Sequence, residues 1–148
     1  MTYREVLRVP LWWAVIGLGV AFGAAAEFSK PTSAAALLPW IVLPLGVLGG
    51  LVAMSRKRVV VDGGVLHVPG ARAPLSAFGP AEVLARDELR IWMGPRADRD
   101  AWVAVRPWIK GAVRLPVVDP DDDTPYWLVG TRDPVGLAVA LTPLPEGL

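Results

Sequence analysis

The side chains able to do chemistry in this chain are few and scattered. There is one histidine, His67, and no cysteine. A lone His67 with Ser76 and a distant aspartate does not have the nucleophile–base–orienter pattern of a triad, and an ordinary strand histidine is the plainer reading. No His/Cys set has the spacing of a zinc site. The run Asp119-Pro120-Asp121-Asp122-Asp123 carries oxygen ligands of the kind Mg²⁺ or Ca²⁺ takes. It lacks the spacing, the glycine and the closing glutamate of a calcium loop, so it reads as a solvated turn. No Gly-x-Gly-x-x-Gly follows a strand and no Walker loop is present, which leaves nucleotide binding without support. The expectation is no catalytic residue, no metal, no cofactor and no enzyme activity.

A different chemistry is concentrated in the second half. Arg86, Arg90, Arg96, Arg99, Arg106, Lys110 and Arg114 fall in one stretch with Trp92, Trp102 and Trp108, against Asp87, Glu88, Asp98 and Asp100. Such a basic, aromatic surface could hold anionic lipid heads, or meet the acidic Asp119–Asp123 loop within the same domain or on a neighbouring copy; scattered surface charge with tryptophans in a core is the plainer alternative. Two segments, Arg106-Pro107-Trp108 and Thr124-Pro125-Tyr126-Trp127, are densest in proline and aromatic residues. They read as a structural corner or as a pre-formed partner groove. With the triplet Arg56-Lys57-Arg58, the candidate partner or lipid surface comprises Arg56, Lys57, Arg58, Arg106, Trp108, Lys110, Arg114, Tyr126 and Trp127. Nucleic acid is not expected: from Ser55 onward twelve Lys/Arg balance twelve Asp/Glu, and the whole chain carries +1.

The elements that must position these residues begin with two uncharged runs, Val9–Ala26 and Ala34–Met54, of 18 and 21 residues. As helices they reach roughly 27 and 31 Å, near the thickness of a bilayer's hydrocarbon core. A mid-helix charge costs about 2.5–3.5 kcal/mol on insertion, and neither run has one. The chain is 148 residues long and 53% apolar, with mean hydropathy +0.44. What remains outside the runs is too short and too polar to wrap two apolar helices in water. A transmembrane hairpin at 9–54 is therefore expected, with an eight-residue lead before it.

Arg4 and Arg8 precede the first run, Arg56, Lys57 and Arg58 follow the second, and the link 27–33 holds one Glu and one Lys. That bias predicts both termini in the cytoplasm, the link outside and a multi-pass plasma-membrane protein. A rival reading takes the basic lead, apolar core and Ala24-Ala25-Ala26 as a cleaved secretory signal; the length of the run and the second run behind it speak against this. Gly19 and Gly23, and Gly46 and Gly50, have the spacing that lets helices approach closely, and packing of the two spans on each other is preferred over dimerisation. Pro39 and Pro44 flank Trp40 and predict a static bend.

Beyond residue 55 the period changes. Arg58–Val61 and Val65–Val68 around Asp62-Gly63-Gly64 predict a hairpin. Short strands are expected at Ala73–Phe78, Ala81–Ala85, Trp102–Val105, Ala112–Val118 and Tyr126–Thr131, with Pro116 restricting its strand to an edge or an end. A helical turn at Asp87–Met93 takes Asp87 as cap. Asp133-Pro134 starts a helix through Val135–Leu141, with a tail at 143–148. Six or seven strands and a closing amphipathic helix at 55–142 predict a small β-sandwich or partial barrel of pleckstrin-homology-like shape. The fold class is thus an α+β membrane protein.

Several motifs carry a resemblance. Tyr3-Arg4-Glu5, Arg8-Val9-Pro10 and Trp12-Trp13 resemble the opening of an actinobacterial membrane family, domain of unknown function 3093. Arg106-Pro107-Trp108 with Val113-Arg114 is similar to its middle motif. Asp119-Pro120-Asp121-Asp122, Thr124-Pro125-Tyr126-Trp127-Leu128-Val129 and Thr131-Arg132 are similar to its most distinctive stretch. Asp123 and Gly130 depart from it, standing where an uncharged residue and a serine are expected. The resemblance covers nearly the whole chain and implies two spans and a cytoplasmic β-rich domain, with no established activity. Sequence thus leads to a membrane-anchored binding module, an adaptor or scaffold for a membrane or envelope protein complex with a protein partner. The alternative is a domain sensing anionic lipid.

Overall fold

The computed structural model describes residues 2–29 and 34–142. The chain is α+β, and it divides into two compact units, Arg8–Lys57 and the remainder.

The unit Arg8–Lys57 is a helical hairpin. α1 (Leu11–Phe28) follows Pro10, whose missing N–H is harmless at a helix start. A 3₁₀ turn at Ala34–Leu37 leads into α2 (Leu38–Ser55). Both helices are long and apolar enough to cross a membrane. Pro39 lies in the first turn of α2 and Pro44 inside it, so only Pro44 removes an internal hydrogen bond. The interface does not use the expected glycine pairs. Around Gly19, Gly23, Gly46 and Gly50 a Cβ would meet nothing within 4 Å, whereas at Gly17 it would stand 2.9 Å from Val47 Cγ1. With Ala21 and Ala25 buried, the close face of α1 is Gly17, Ala21 and Ala25, a four-residue spacing offset by two from the pattern expected. Both ends are clasped. Ser29 Oγ donates to Ala25 O (2.7 Å) and Ala36 O (2.9 Å), and Val9 N donates to Ser55 Oγ (3.3 Å). Of the expected link 27–33, Glu27 and Phe28 belong to α1, and Lys30–Ser33 lie outside the described residues.

Among the described residues the other unit holds two four-stranded sheets. The first is an antiparallel meander of β1 (Tyr3–Val6), β2 (Arg58–Asp62), β3 (Val65–Val68) and β4 (Ala71–Pro74). The lead expected before the hairpin is thus largely a strand. Tyr3–Val6 pairs with Val61–Arg58 across the 51 residues that separate Val6 from its neighbour Arg58 on either side of the helices. The β2–β3 turn falls at Gly63 and Gly64, both with positive φ (57° and 75°), the geometry of a two-residue hairpin turn. The strand expected at Ala73–Phe78 is instead β4 and a 3₁₀ turn at Leu75–Ala77, after which Phe78 makes a single bridge to Val117.

The second sheet runs β5 (Glu82–Leu84), β7 (Gly111–Pro116), β8 (Tyr126–Thr131), β6 (Trp102–Ala104), with β6 parallel to β8 and the other pairs antiparallel. Pro116 ends an interior strand. β8 is buried along its whole length because it is covered on both faces, which is why it reads as an unbroken apolar run. Val113, Leu115, Trp127 and Val129 face the first sheet's Val59, Val61, Leu66 and Val68. On the opposite face, Ala112, Tyr126 and Leu128 meet Leu89 of α3 (Arg86–Met93). Asp87 is not the cap of α3: the helix begins after Ala85, whose N–H donates to the Glu88 carboxylate (3.0 Å).

α4 (Pro134–Leu141) starts where expected, with Asp133 Oδ1 accepting from Gly136 N at 2.9 Å. It puts Leu137 and Leu141 into the main core, each burial contributing about 1.5–3 kcal/mol. It is not amphipathic, for Val135 and Val139 are exposed on its outer side. The tail expected at 143–148 lies outside the described residues.

Candidate functional site

Three side-chain clusters organise the β-rich unit. The first surrounds Arg114. Parity along β7 places Arg114 on the α3 side with Ala112, opposite the inward Val113 and Leu115. Its guanidinium stands 4.3 Å from the centre of the Trp92 ring and 5.3 Å from that of Tyr126. Arg114 Nη1 also pairs with Glu82 Oε2 at 2.7 Å, Glu82 being its cross-strand partner on β5. Trp92 and Tyr126 meet edge to face, centroids 5.3 Å apart. Tyr126 OH accepts from Asp98 N at 3.1 Å, tying the loop after α3 to β8. The cation is already stacked inside its own aromatic cage, and what it holds is α3 on the sheet.

The second cluster joins the two ends of the unit. Tyr3 and Glu5 share one face of β1, two residues apart. The Glu5 carboxylate accepts from Thr131 Oγ1, from Tyr3 OH (3.0 Å) and from Arg132 N (2.8 Å). Thr131 is fully buried, and its oxygen also accepts from Asp133 N at 3.1 Å. Burial, with the Glu5 charge beside it, pushes the Tyr3 phenol above its usual value, against the pull of its hydrogen bond to Thr131. These donors come from β1 itself and from the end of β8, so the cluster clasps β1 to β8.

The third feature is a surface. β6 is an outer strand of its sheet, and it exposes Trp102 (38%) and Val103 (49%). Trp102 also lies against Gly70 and stands 5.9 Å from the Trp127 ring. After β6 the chain turns back, with Ile109 N donating to Arg106 O at 3.0 Å. A small cleft of about 120 Å³ is lined by Leu7, Pro69, Val103, Ala104, Val105 and Arg106. Close packing here depends on Gly130: a Cβ on it would lie 3.0 Å from Val105 Cα and 3.3 Å from Ala104 O.

The expected surface residues separate into distinct groups. Arg56, Lys57 and Arg58 are exposed, the first two after α2 and the third opening β2. Lys110 is exposed and Arg106 half-buried, both around the turn after β6, while Trp108 packs against the core. Arg114 is held in its cage. Tyr126 and Trp127 are buried on opposite faces of β8, Trp127 edge to face with Phe78 at 5.1 Å and Tyr126 against Trp92, so neither ring lies on the surface. His67 is exposed on β3 opposite Val60 and Arg72. The acidic loop bonds within itself, Asp119 Oδ1 accepting from Asp121 N and Asp122 Oδ1 from Thr124 N. The Thr124 hydrogen bonds hold the Asp122 carboxyl below its usual range. Among the described residues no three His, Cys, Asp or Glu side chains gather as a metal site would need. The residues that sequence reasoning did not single out as partners are Tyr3, Glu5 and Thr131; the two-residue spacing of Tyr3 and Glu5 and the place of all three in the first and last motifs were the available signals.

These end motifs, brought together by the β1–β8 clasp, lie within a match to the family model described as Protein of unknown function (DUF3093), over residues 2–141. The chain belongs to the DUF3093 family. No curated protein and no solved structure gives a match. In this DUF3093 chain the first motif supplies Tyr3 and Glu5 and the last supplies Thr131 and Arg132, so one matched region contains both halves of the clasp.

Proposed function

We propose that this protein is a two-span integral membrane protein whose β-rich unit is a cytoplasmic binding module, an adaptor or scaffold for a membrane protein complex. The observation that carries the binding role is the outer strand β6, with Trp102 and Val103 exposed and Arg106, Pro107 and Lys110 following in the adjacent turn. An unpaired strand edge with an aromatic residue and cations beside it suits an extended, acidic segment of a partner protein, added as a further strand. Binding rather than catalysis is part of the proposal.

The membrane reading is supported by the bare outer surface of the helices. α1 buries only Ala21 and Ala25, and α2 buries none of its side chains among the described residues. Leu11, Val15, Val20, Ile41, Val42 and Leu45 are all more than half exposed. An apolar surface of that extent suits lipid and not water. The pairing of Val6 with Arg58 returns the chain to the point it left, which favours both ends of the hairpin on one side of the bilayer. The excess of Arg and Lys at those ends supports the cytoplasm of a plasma membrane as that side, in the actinobacterial setting the motifs imply. A pleckstrin-homology-like shape is supported by the two packed sheets and the closing α4, and it departs from a plain meander at the parallel β6–β8 pair. A second reading, sensing of anionic lipid, is favoured by the exposed Arg56, Lys57 and Arg58.

The test places a photo-crosslinking residue at Val103 in the full-length protein in native membranes and identifies adducts by mass spectrometry. A reproducible protein adduct, lost with Trp102→Ala or Arg106→Ala in a folded protein, supports the adaptor. An adduct with anionic lipid alone sinks it.

A further inference from the structure

One face of α2 is unpartnered and shaped. Leu45, Leu48, Gly49, Val52, Ala53 and Arg56 line an open groove of about 600 Å³. Their spacing of three and four residues places them on one side of the helix. The notch is at Gly49, where a Cβ would meet nothing within 4 Å. Leu45 to Arg56 is eleven residue steps, or roughly 16 Å at a helical rise of 1.5 Å, close to the half-thickness of a bilayer core of about 30 Å. The groove is therefore apolar over the depth of one leaflet and ends on a cation, with Lys57 next in the chain and both side chains exposed.

We propose that this face binds one anionic glycerophospholipid. An acyl chain lies over Gly49 between Leu45, Leu48 and Val52, and the phosphate meets Arg56, with Lys57 adding to the positive field. The inference rests on the two-span reading of α1 and α2. A second copy of the chain is the poorer occupant. Copies inserted in the same sense and paired about a two-fold axis on this face would bring Arg56 against its own counterpart, a like-charge contact at the cationic end of the interface. A lipid headgroup gives the opposite sign at the same place, and each cation near the membrane surface attracts anionic lipid about fivefold.

The full-length protein is reconstituted in nanodiscs of phosphatidylcholine and phosphatidylglycerol in equal parts, and the lipids it retains are counted by native mass spectrometry. Phosphatidylglycerol is expected to be retained over phosphatidylcholine. Arg56→Ala should reduce that preference about fivefold. Gly49→Leu fills the notch and should abolish retention of both lipids, with helix content by circular dichroism unchanged because the new side chain enters open space. Equal retention of the two lipids by the native chain, or retention untouched by both variants, overturns the proposal. So does Gly49→Leu converting a dimer to a monomer, which would give the face to a second copy. Release of the protein from membranes by alkaline carbonate would refute the two-span reading itself. An integral protein without lipid preference refutes only the lipid site.

Discussion

Replacing Thr131 by valine tests whether the strand before the helical hairpin is clasped to the last strand of the sheet. Valine keeps the shape, so no cavity opens, and only the hydroxyl is lost. That hydroxyl donates to the Glu5 carboxylate and accepts from Asp133 N at 3.1 Å. A hydrogen bond to a charged group contributes about 1.5–3 kcal/mol, and leaving the Asp133 N–H without its acceptor costs about 1 kcal/mol more. Burying one extra methyl offsets roughly 0.8 kcal/mol. The net expectation is a loss of about 2–3 kcal/mol. Urea unfolding of the full-length protein in detergent, followed by tryptophan fluorescence, measures it, with Trp127 buried on the same strand as reporter. In a double-mutant cycle with Glu5→Ala the two losses should be less than additive by about 1 kcal/mol or more, because both remove the same bond. A loss under about 0.5 kcal/mol, or additivity within error, would mean that β1 is held by its pairing with β2 alone.

Other expectations follow from the same geometry. Gly130→Ser forces an atom to within about 3.0 Å of Val105 Cα and should destabilise the β-rich unit by about 1–3 kcal/mol in the same urea assay. Arg114→Lys keeps the charge but loses the planar stack on Trp92 and Tyr126. It should cost about 1 kcal/mol, and the effect should shrink in a Trp92→Ala background; the pair with half-exposed Glu82 contributes little of it. The raised pKa of Tyr3 means that the folded state holds the phenol proton more tightly than the unfolded state does. The stability from this group is therefore complete below the usual phenol value of 10.0 and is lost as pH rises through the higher folded value. Tyr3→Phe should flatten that alkaline loss when unfolding is followed across the range.

The parts of the structure legible in the sequence are those written in local patterns. Uncharged runs of helical length gave α1 within two residues at each end and α2 within four, Asp-Gly-Gly gave the β2–β3 turn, and Asp133-Pro134 gave the start of α4. The pieces that were missed depend on long-range partners. Tyr3–Val6 is too short and too polar to read as a strand until Arg58–Val61 lies beside it. Whether Gly17 or Gly19 faces the neighbouring helix depends on the rotation of α1, which a helix apolar on all sides does not announce. Among the candidate surface residues, Tyr126 and Trp127 sit on a strand buried on both faces, where an aromatic run intended for the core looks the same as one intended for a partner. Arg114 reads as a surface cation in the sequence because its cage comes from α3 and β8, separated from it along the chain.

The most direct test of the central claim is the sidedness of the hairpin. The chain has no cysteine, so single cysteines can be introduced without altering anything else. Glu27→Cys marks the far end of α1, and Asp121→Cys marks the exposed loop before β8. On intact cells a membrane-impermeant maleimide should label Glu27→Cys at once and Asp121→Cys only after permeabilisation. Labelling of both positions from the same side would contradict a membrane-crossing hairpin that carries its β-rich unit on the cytoplasmic face.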